Sequence, residues 1–143
     1  MSKLATEHEY TRAEFDWIAV DDDGNIGFFA SGGFGPVPQS SISAANELEN
    51  IQERIRALPW NCQTTCVADV EYYLGDFFEV AERGVFAYNW DFDRREYRLI
   101  VKPVAPVDSE SAGEVATLAQ QVRLPLRFAV NNWVSPDVEI AEG

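Results

Sequence analysis

Apolar and polar positions alternate along the chain in short runs, divided by turn-forming residues. Phe15 to Val20 (Phe-Asp-Trp-Ile-Ala-Val) is short and rich in aromatic and β-branched residues, which predicts a strand. Asp21-Asp22-Asp23-Gly24-Asn25 follows as a turn, because Asp and Asn bond to nearby backbone and Gly24 accepts a positive φ. Ile26 to Ala30 reads as a returning strand, so the two form a hairpin. Ser31 to Ser41 carries Gly32, Gly33, Gly35, Pro36 and Pro38 and reads as a loop.

The period then lengthens. Ala44, Leu48, Ile51, Ile55 and Leu58 recur every three or four residues, which predicts a helix over 43–58 stopped by Pro59. Val70, Leu74, Phe77, Phe78 and Ala81 form a second stripe, predicting a helix over 67–83 with Gly84 at its C-terminal cap. Gly75 inside that helix would cost up to ~1 kcal/mol relative to alanine. Val85 to Trp90 and Tyr97 to Val101 read as strands joined by the polar turn Asp91 to Glu96, with Val104 to Asp108 extending the second along an edge. Glu114 to Val122 reads as a short third helix and Leu126 to Val130 as a last strand. This order is segregated rather than alternating. It predicts an α+β fold, a mainly antiparallel sheet of about five strands packed against two main helices. A single domain over 1–143 is expected, with loose termini at 1–13 and 131–143.

Charge narrows the function classes. The 143 residues include 11 Lys and Arg against 24 Asp and Glu, a net charge of −13. A chain so acidic lacks the basic surface that nucleic acid or an anionic membrane requires, and it suits a basic protein partner. The N-terminus has no signal-peptide pattern, and no apolar run approaches the ~20 residues that span a bilayer, so a cytoplasmic location is expected. Cys62 and Cys66 would then be reduced. Zinc would need two further ligands, and the sole histidine is His8, so neither metal nor cofactor is expected.

The chemical motifs fall short in specific ways. With Gly24 at the sixth position of a calcium loop, the first and twelfth become Ala19 and Ala30, where acids are obligatory. Gly32-Gly33-Phe34-Gly35 lacks the lysine of a phosphate loop. Asp91 and Asp93, with Glu96 nearby, could act as paired carboxylates, but Arg94, Arg95 and Arg98 interleave them, which favours solvated ion pairs. No nucleophile–base motif is present, so no enzymatic activity is expected.

The second helix is more informative. Asp69, Tyr72, Asp76, Glu79 and Glu82 lie three or four apart, opposite its apolar stripe, and no basic residue interrupts the stretch. A solvated face in an acidic protein accounts for this; so does a docking face for a basic partner, with Tyr72 as an aromatic anchor. Asp21, Asp22 and Asp23 form a second acidic patch.

Trp17-x-Ala19-x-Asp21-x-Asp23-Gly24-x-Ile26-Gly27-x-Phe29, followed by Gly32, Gly33, Gly35 and Val37-Pro38, resembles the opening of a group of small bacterial proteins. Arg83 to Tyr88 and Tyr97 to Pro106 resemble the same group. Some of its members are associated with immunity against polymorphic or contact-dependent toxins. The resemblance implies an immunity protein that binds a cognate toxin, with Trp17, Ala19 and Phe29 in the core and Gly24 in a turn. The expected function is therefore a cytoplasmic protein-binding module that blocks a toxin such as a nuclease. The alternative is a small enzyme or ligand-binding domain with its pocket between sheet and helices.

Overall fold

The computed structural model describes residues 2–4, 15–70 and 74–142. Strands β2 (Asp16–Val20) and β3 (Ile26–Ala30) form the expected hairpin, paired from Asp16↔Ala30 to Val20↔Ile26. Its turn closes as the composition predicts. Gly24 sits at φ 79°, and the Asp21 carboxylate accepts from the backbone N–H of Asp23 and Asn25 at 3.0 and 2.8 Å. Strands β5 (Phe86–Asp91) and β6 (Glu96–Pro103) form a second hairpin.

The sheet corrects the expected architecture. β3 pairs β5 in parallel, not antiparallel, and β2 pairs β7 (Val122–Arg123) in parallel. The sheet is therefore mixed, with β1 (Ser2–Lys3), β4 (Thr64–Cys66), β8 (Trp133–Val134) and β9 (Glu139–Glu142) completing it in the order β1-β9-β7-β2-β3-β5-β6-β4 and β8 also on β6. The chain leaves β3, crosses the sheet and returns beside it as β5. Such a return needs a long connection, and the helical segments between these strands provide it. β3 is buried along almost its whole length, as a central strand covered on both faces should be.

Five short helices replace the two long ones expected: α1 (Gln39–Ser43), α2 (Ile51–Arg56), α3 (Gly75–Glu82), α4 (Ser109–Ala112) and α5 (Glu114–Ala119). The predicted 43–58 helix breaks at Asn50, which adopts a left-handed φ of 58°. Its apolar stripe still serves the core, since Leu48, Ile51 and Ile55 are buried. The predicted 67–83 helix starts only at Gly75, so that glycine opens the helix and carries no interior penalty. Upstream, the Val67 and Ala68 N–H groups both donate to Ile100 O, prolonging the β4–β6 pairing that sequence periodicity hides. Residues 104–108 do not extend β6, and Leu126–Val130 is a turn rather than a strand. The C-terminal segment is not loose: Val134 and Ile140 are buried in β8 and β9. Among the described residues, no helix is long and apolar enough to cross a membrane.

Two layers of core result. On one sheet face Trp17, Phe29, Tyr88, Tyr97 and Phe128 interlock as a ring cluster, Trp17 stacking on Phe29 at 4.2 Å and Phe29 on Tyr88 at 4.9 Å. On the other face the helices bury Ile55, Phe77, Val80, Ala81, Val115 and Ala119. Gly84 ends α3 as expected, at φ 92°, and a Cβ there would overlap Val107 N and come within 2.6 Å of Val107 Cβ. Val107 N donates to Gly84 O at 3.0 Å, so the overlap cannot be relieved without losing that bond. Gly84→Ala is expected to cost at least about 2 kcal/mol, from left-handed strain plus steric overlap. Urea denaturation checks this, and a midpoint equal to that of the parent would refute it.

Candidate protein-docking surface

The acids named from the sequence meet different fates. Asp21 is fully buried: besides Asp23 and Asn25 it accepts from Phe128 N at 2.7 Å, so it is a structural acceptor and presents nothing to a partner. Burial pushes the nearby Tyr88 phenol far above its ordinary range, and the Asp21 carboxylate adds to this. The phenol stays protonated and donates to Asn131 O at 2.6 Å. Asp23 pairs with Arg127 at 2.8 Å, which leaves Asp22 as the exposed acid of the run without an ion pair among the described residues.

On α3 the absence of local basic residues is made good from elsewhere in the chain. Arg56 of α2 lies 2.7 Å from Glu79 and 3.8 Å from Asp76. These two acids tie α3 to α2, so the expected uniform acidic face is partly neutralised. Glu82 is half-buried, Asp69 is exposed ahead of the helix, and Tyr72 lies outside the described residues.

A different feature stands out, built by two loops. Ser31 is buried and anchors the Gly/Pro loop: its Oγ accepts from Phe15 N at 3.0 Å and Gly33 N at 3.3 Å, and its carbonyl accepts from Phe34 N and Gly35 N. Gly35 lies so close to the core that a Cβ would be 2.6 Å from the Tyr97 hydroxyl, which itself donates to Pro36 O at 2.9 Å. The loop is thus pinned, yet Phe34 points outward with 59% of its surface exposed. The β5–β6 turn is pinned in the same way. Asp91 O accepts from Arg95 N, Asp91 Oδ1 accepts from Arg94 N, and Arg95 takes a left-handed φ of 58°. This turn presents Phe92, 58% exposed, edge-on to Phe34 with ring centroids 5.2 Å apart.

Charged groups flank the pair. Arg94 and Arg98 sit over the Trp133 ring at 4.0 and 5.3 Å, and Arg94 also pairs with Glu96 at 2.8 Å. Of the ion pairs that the interleaved spacing implied, Arg94–Glu96 forms among the described residues, while no salt bridge joins Asp91 or Asp93 to an arginine there. Asp91 and Asp93 line a half-open cleft of about 470 Å³ together with Asn89, Trp90, Phe92 and Arg98. The sequence pattern places Asp91, Phe92 and Asp93 in a turn, and under the alternative reading of a ligand-binding domain it sets Asp91 or Asp93 at the mouth of a pocket; the aromatic lining by Trp90 and Phe92 is what that reading lacked. The one available signal was Phe34 within a glycine-rich loop, an apolar ring where a loop normally carries polar side chains.

Neither a family model, nor a curated protein, nor a solved structure matches this chain. The reading of the surface therefore rests on its own geometry. Among the described residues, no three His, Cys, Asp or Glu side chains gather as a metal site requires. Cys62 is buried, Cys66 is exposed in β4, and both are free thiols. What the surface offers is apolar area held rigid beside charge, the combination found at protein interfaces.

Proposed function

We propose that the chain is a cytoplasmic protein-binding module, in particular an immunity protein that neutralises a toxin by covering its working surface. The observation that carries this reading is the Phe34–Phe92 pair, two rings more than half exposed on loops fixed by hydrogen bonds, buried at Ser31 and exposed at Asp91. Exposed single apolar residues are ordinary, but two rings in edge contact on rigid supports form an anchor whose ordering cost is already met in the free protein. The net charge of −13 favours a basic partner and would speed its approach. Trp17, Ala19 and Phe29 are buried and Gly24 takes the turn conformation, the roles that the resemblance to toxin-immunity proteins implies for them. Inhibition by covering a surface needs no reactive group from this chain.

Co-expression with the product of the neighbouring gene, assayed for toxicity on its own, is the direct test. A stable complex on size exclusion and restored growth are expected. Replacing Phe34 and Phe92 together by Asp is expected to weaken binding by about 100-fold, in line with ~2–4 kcal/mol for paired hot-spot residues, with little change in melting temperature. Absence of both complex and protection would end this reading.

A further inference from the structure

The aromatic pair stands at one end of a longer feature set by strand register. Asp16 pairs Ala30, Ala30 pairs Asn89, Asn89 pairs Arg98, and Arg98 pairs Trp133. Directly paired residues project to the same sheet face. This row therefore crosses β2, β3, β5, β6 and β8 on the face that carries the helices. Three clefts follow it. One of about 410 Å³ is lined by Asp16, Glu49, Gln52 and Glu53 among others. The next, about 240 Å³, shares Asp16 and Gln52 with the first and adds Ala30, Asp76 and Asn89. The third, about 470 Å³, shares Asn89 and ends at Asp91, Phe92 and Asp93. Shared lining residues make them one groove, with the ends of α2 and α3 on one side.

From β2 to β6 the floor spans three strand spacings, about 14 Å, the length of roughly four extended residues. The described lining contains six carboxylates (Asp16, Glu49, Glu53, Asp76, Asp91 and Asp93) against the single cation Arg98. Arg56, 3.8 Å from Asp76, offsets part of this, and Asp16 has an interaction of its own, so the excess rests on Glu49, Glu53, Asp91 and Asp93. The apolar rings at the end are a separate observation: they need an apolar or aromatic side chain to cover them, which small cations and nucleic acid phosphates do not supply.

Building on the protein-binding reading, we propose that this groove takes an extended basic segment of the partner protein, its arginine or lysine side chains over the acidic floor and one apolar side chain seated on Phe34 and Phe92. Charge complementarity selects the occupant. An acidic or neutral strand would leave the carboxylates uncompensated as water is displaced. An arginine chain can also lay its stem along Phe92 while its guanidinium reaches Asp93.

The test uses the full chain and a fluorescently labelled peptide, Arg-Phe-Arg-Arg-Arg, followed by anisotropy at low and at physiological salt. Saturable binding is expected, weakening as salt rises. Glu49→Lys, Glu53→Lys and Asp93→Lys together, all exposed side chains, are expected to weaken it at least about tenfold. Phe34→Ala with Phe92→Ala should weaken it by about tenfold as well. The matched reversal Glu110→Lys, Asp137→Lys and Glu139→Lys lines none of the three clefts and should leave affinity within about twofold, apart from the general charge effect. Equal losses in the two charge-reversal variants, or no saturable binding by the parent, would overturn the proposal; circular dichroism confirms that each variant is folded. Failure of the groove and failure of the toxin reading are separable. A toxin complex that survives the groove variants refutes the groove alone. Groove-dependent peptide binding without any toxin complex supports the groove and refutes the toxin reading.

Discussion

Trp17→Ala is expected to destabilise the protein by about 3–5 kcal/mol, the range for removing a fully buried large aromatic side chain. The side chain is 0% exposed and stacks on Phe29 at 4.2 Å while meeting Tyr97 edge-on at 5.6 Å. Its indole N–H donates to the Tyr97 hydroxyl at 3.1 Å, and that hydroxyl in turn holds Pro36 O. The substitution therefore opens a cavity and removes one partner from the chain of bonds that pins the Gly/Pro loop. Two readouts follow. The urea midpoint should fall sharply, and Phe34, carried by that loop, should lose part of its fixed contact with Phe92. Trp17→Phe keeps most of the apolar volume but not the N–H donor, so it should lose markedly less stability than alanine. A midpoint unmoved by Trp17→Ala would refute its place at the centre of the ring cluster.

Asp21→Ala is expected to cost a similar amount, about 3–5 kcal/mol, for an electrostatic reason. The buried carboxylate accepts three backbone N–H groups, from Asp23, Asn25 and Phe128. Two belong to the β2–β3 turn and the third to the 126–131 turn, which also receives Asp22 N at Leu126 O, 2.9 Å away. Alanine would orphan donors at both turns at once. Asp21→Asn separates the contributions. Its carbonyl oxygen can still accept from Asp23 and Asn25, but its amide nitrogen cannot accept from Phe128. Asparagine should therefore retain part of the stability, and thermal melts of the three proteins should fall in the order parent, Asn, Ala. Equal melting temperatures for parent and alanine variant would show that the carboxylate does not hold these turns.

Asp21 also marks where sequence reading succeeded and failed. Its role inside the hairpin turn was legible, because Asp followed by a glycine turn bonds its own neighbours. Its third bond, to a residue 107 positions away, was not. The same bond explains why Leu126–Val130, apolar enough to look like a strand, is a turn: Phe128 N is spent on Asp21, and Asn131 N returns to Arg127 O. The acids of α3 tell the same story. Asp76 and Glu79 looked unopposed along the chain because Arg56 is remote in sequence and adjacent in space. Reversing them to lysine would set like charges against Arg56, so such variants report on helix packing as well as on any docking.

Local pattern determined the two hairpins, the Gly24 turn, the Gly84 cap and the burial of Leu48, Ile51, Ile55 and Phe77, since these depend on neighbours within a few residues. Tertiary structure alone decided the parallel pairing of β3 with β5, the breaks that shortened the helices, and the groove that ends at Phe34 and Phe92. The physical reason is range. Hydrophobic period states which face of an element is buried, but not which strand lies beside it or whether that strand runs the same way. The row from Asp16 to Trp133 exists only because separate pairings place one residue from each strand in line.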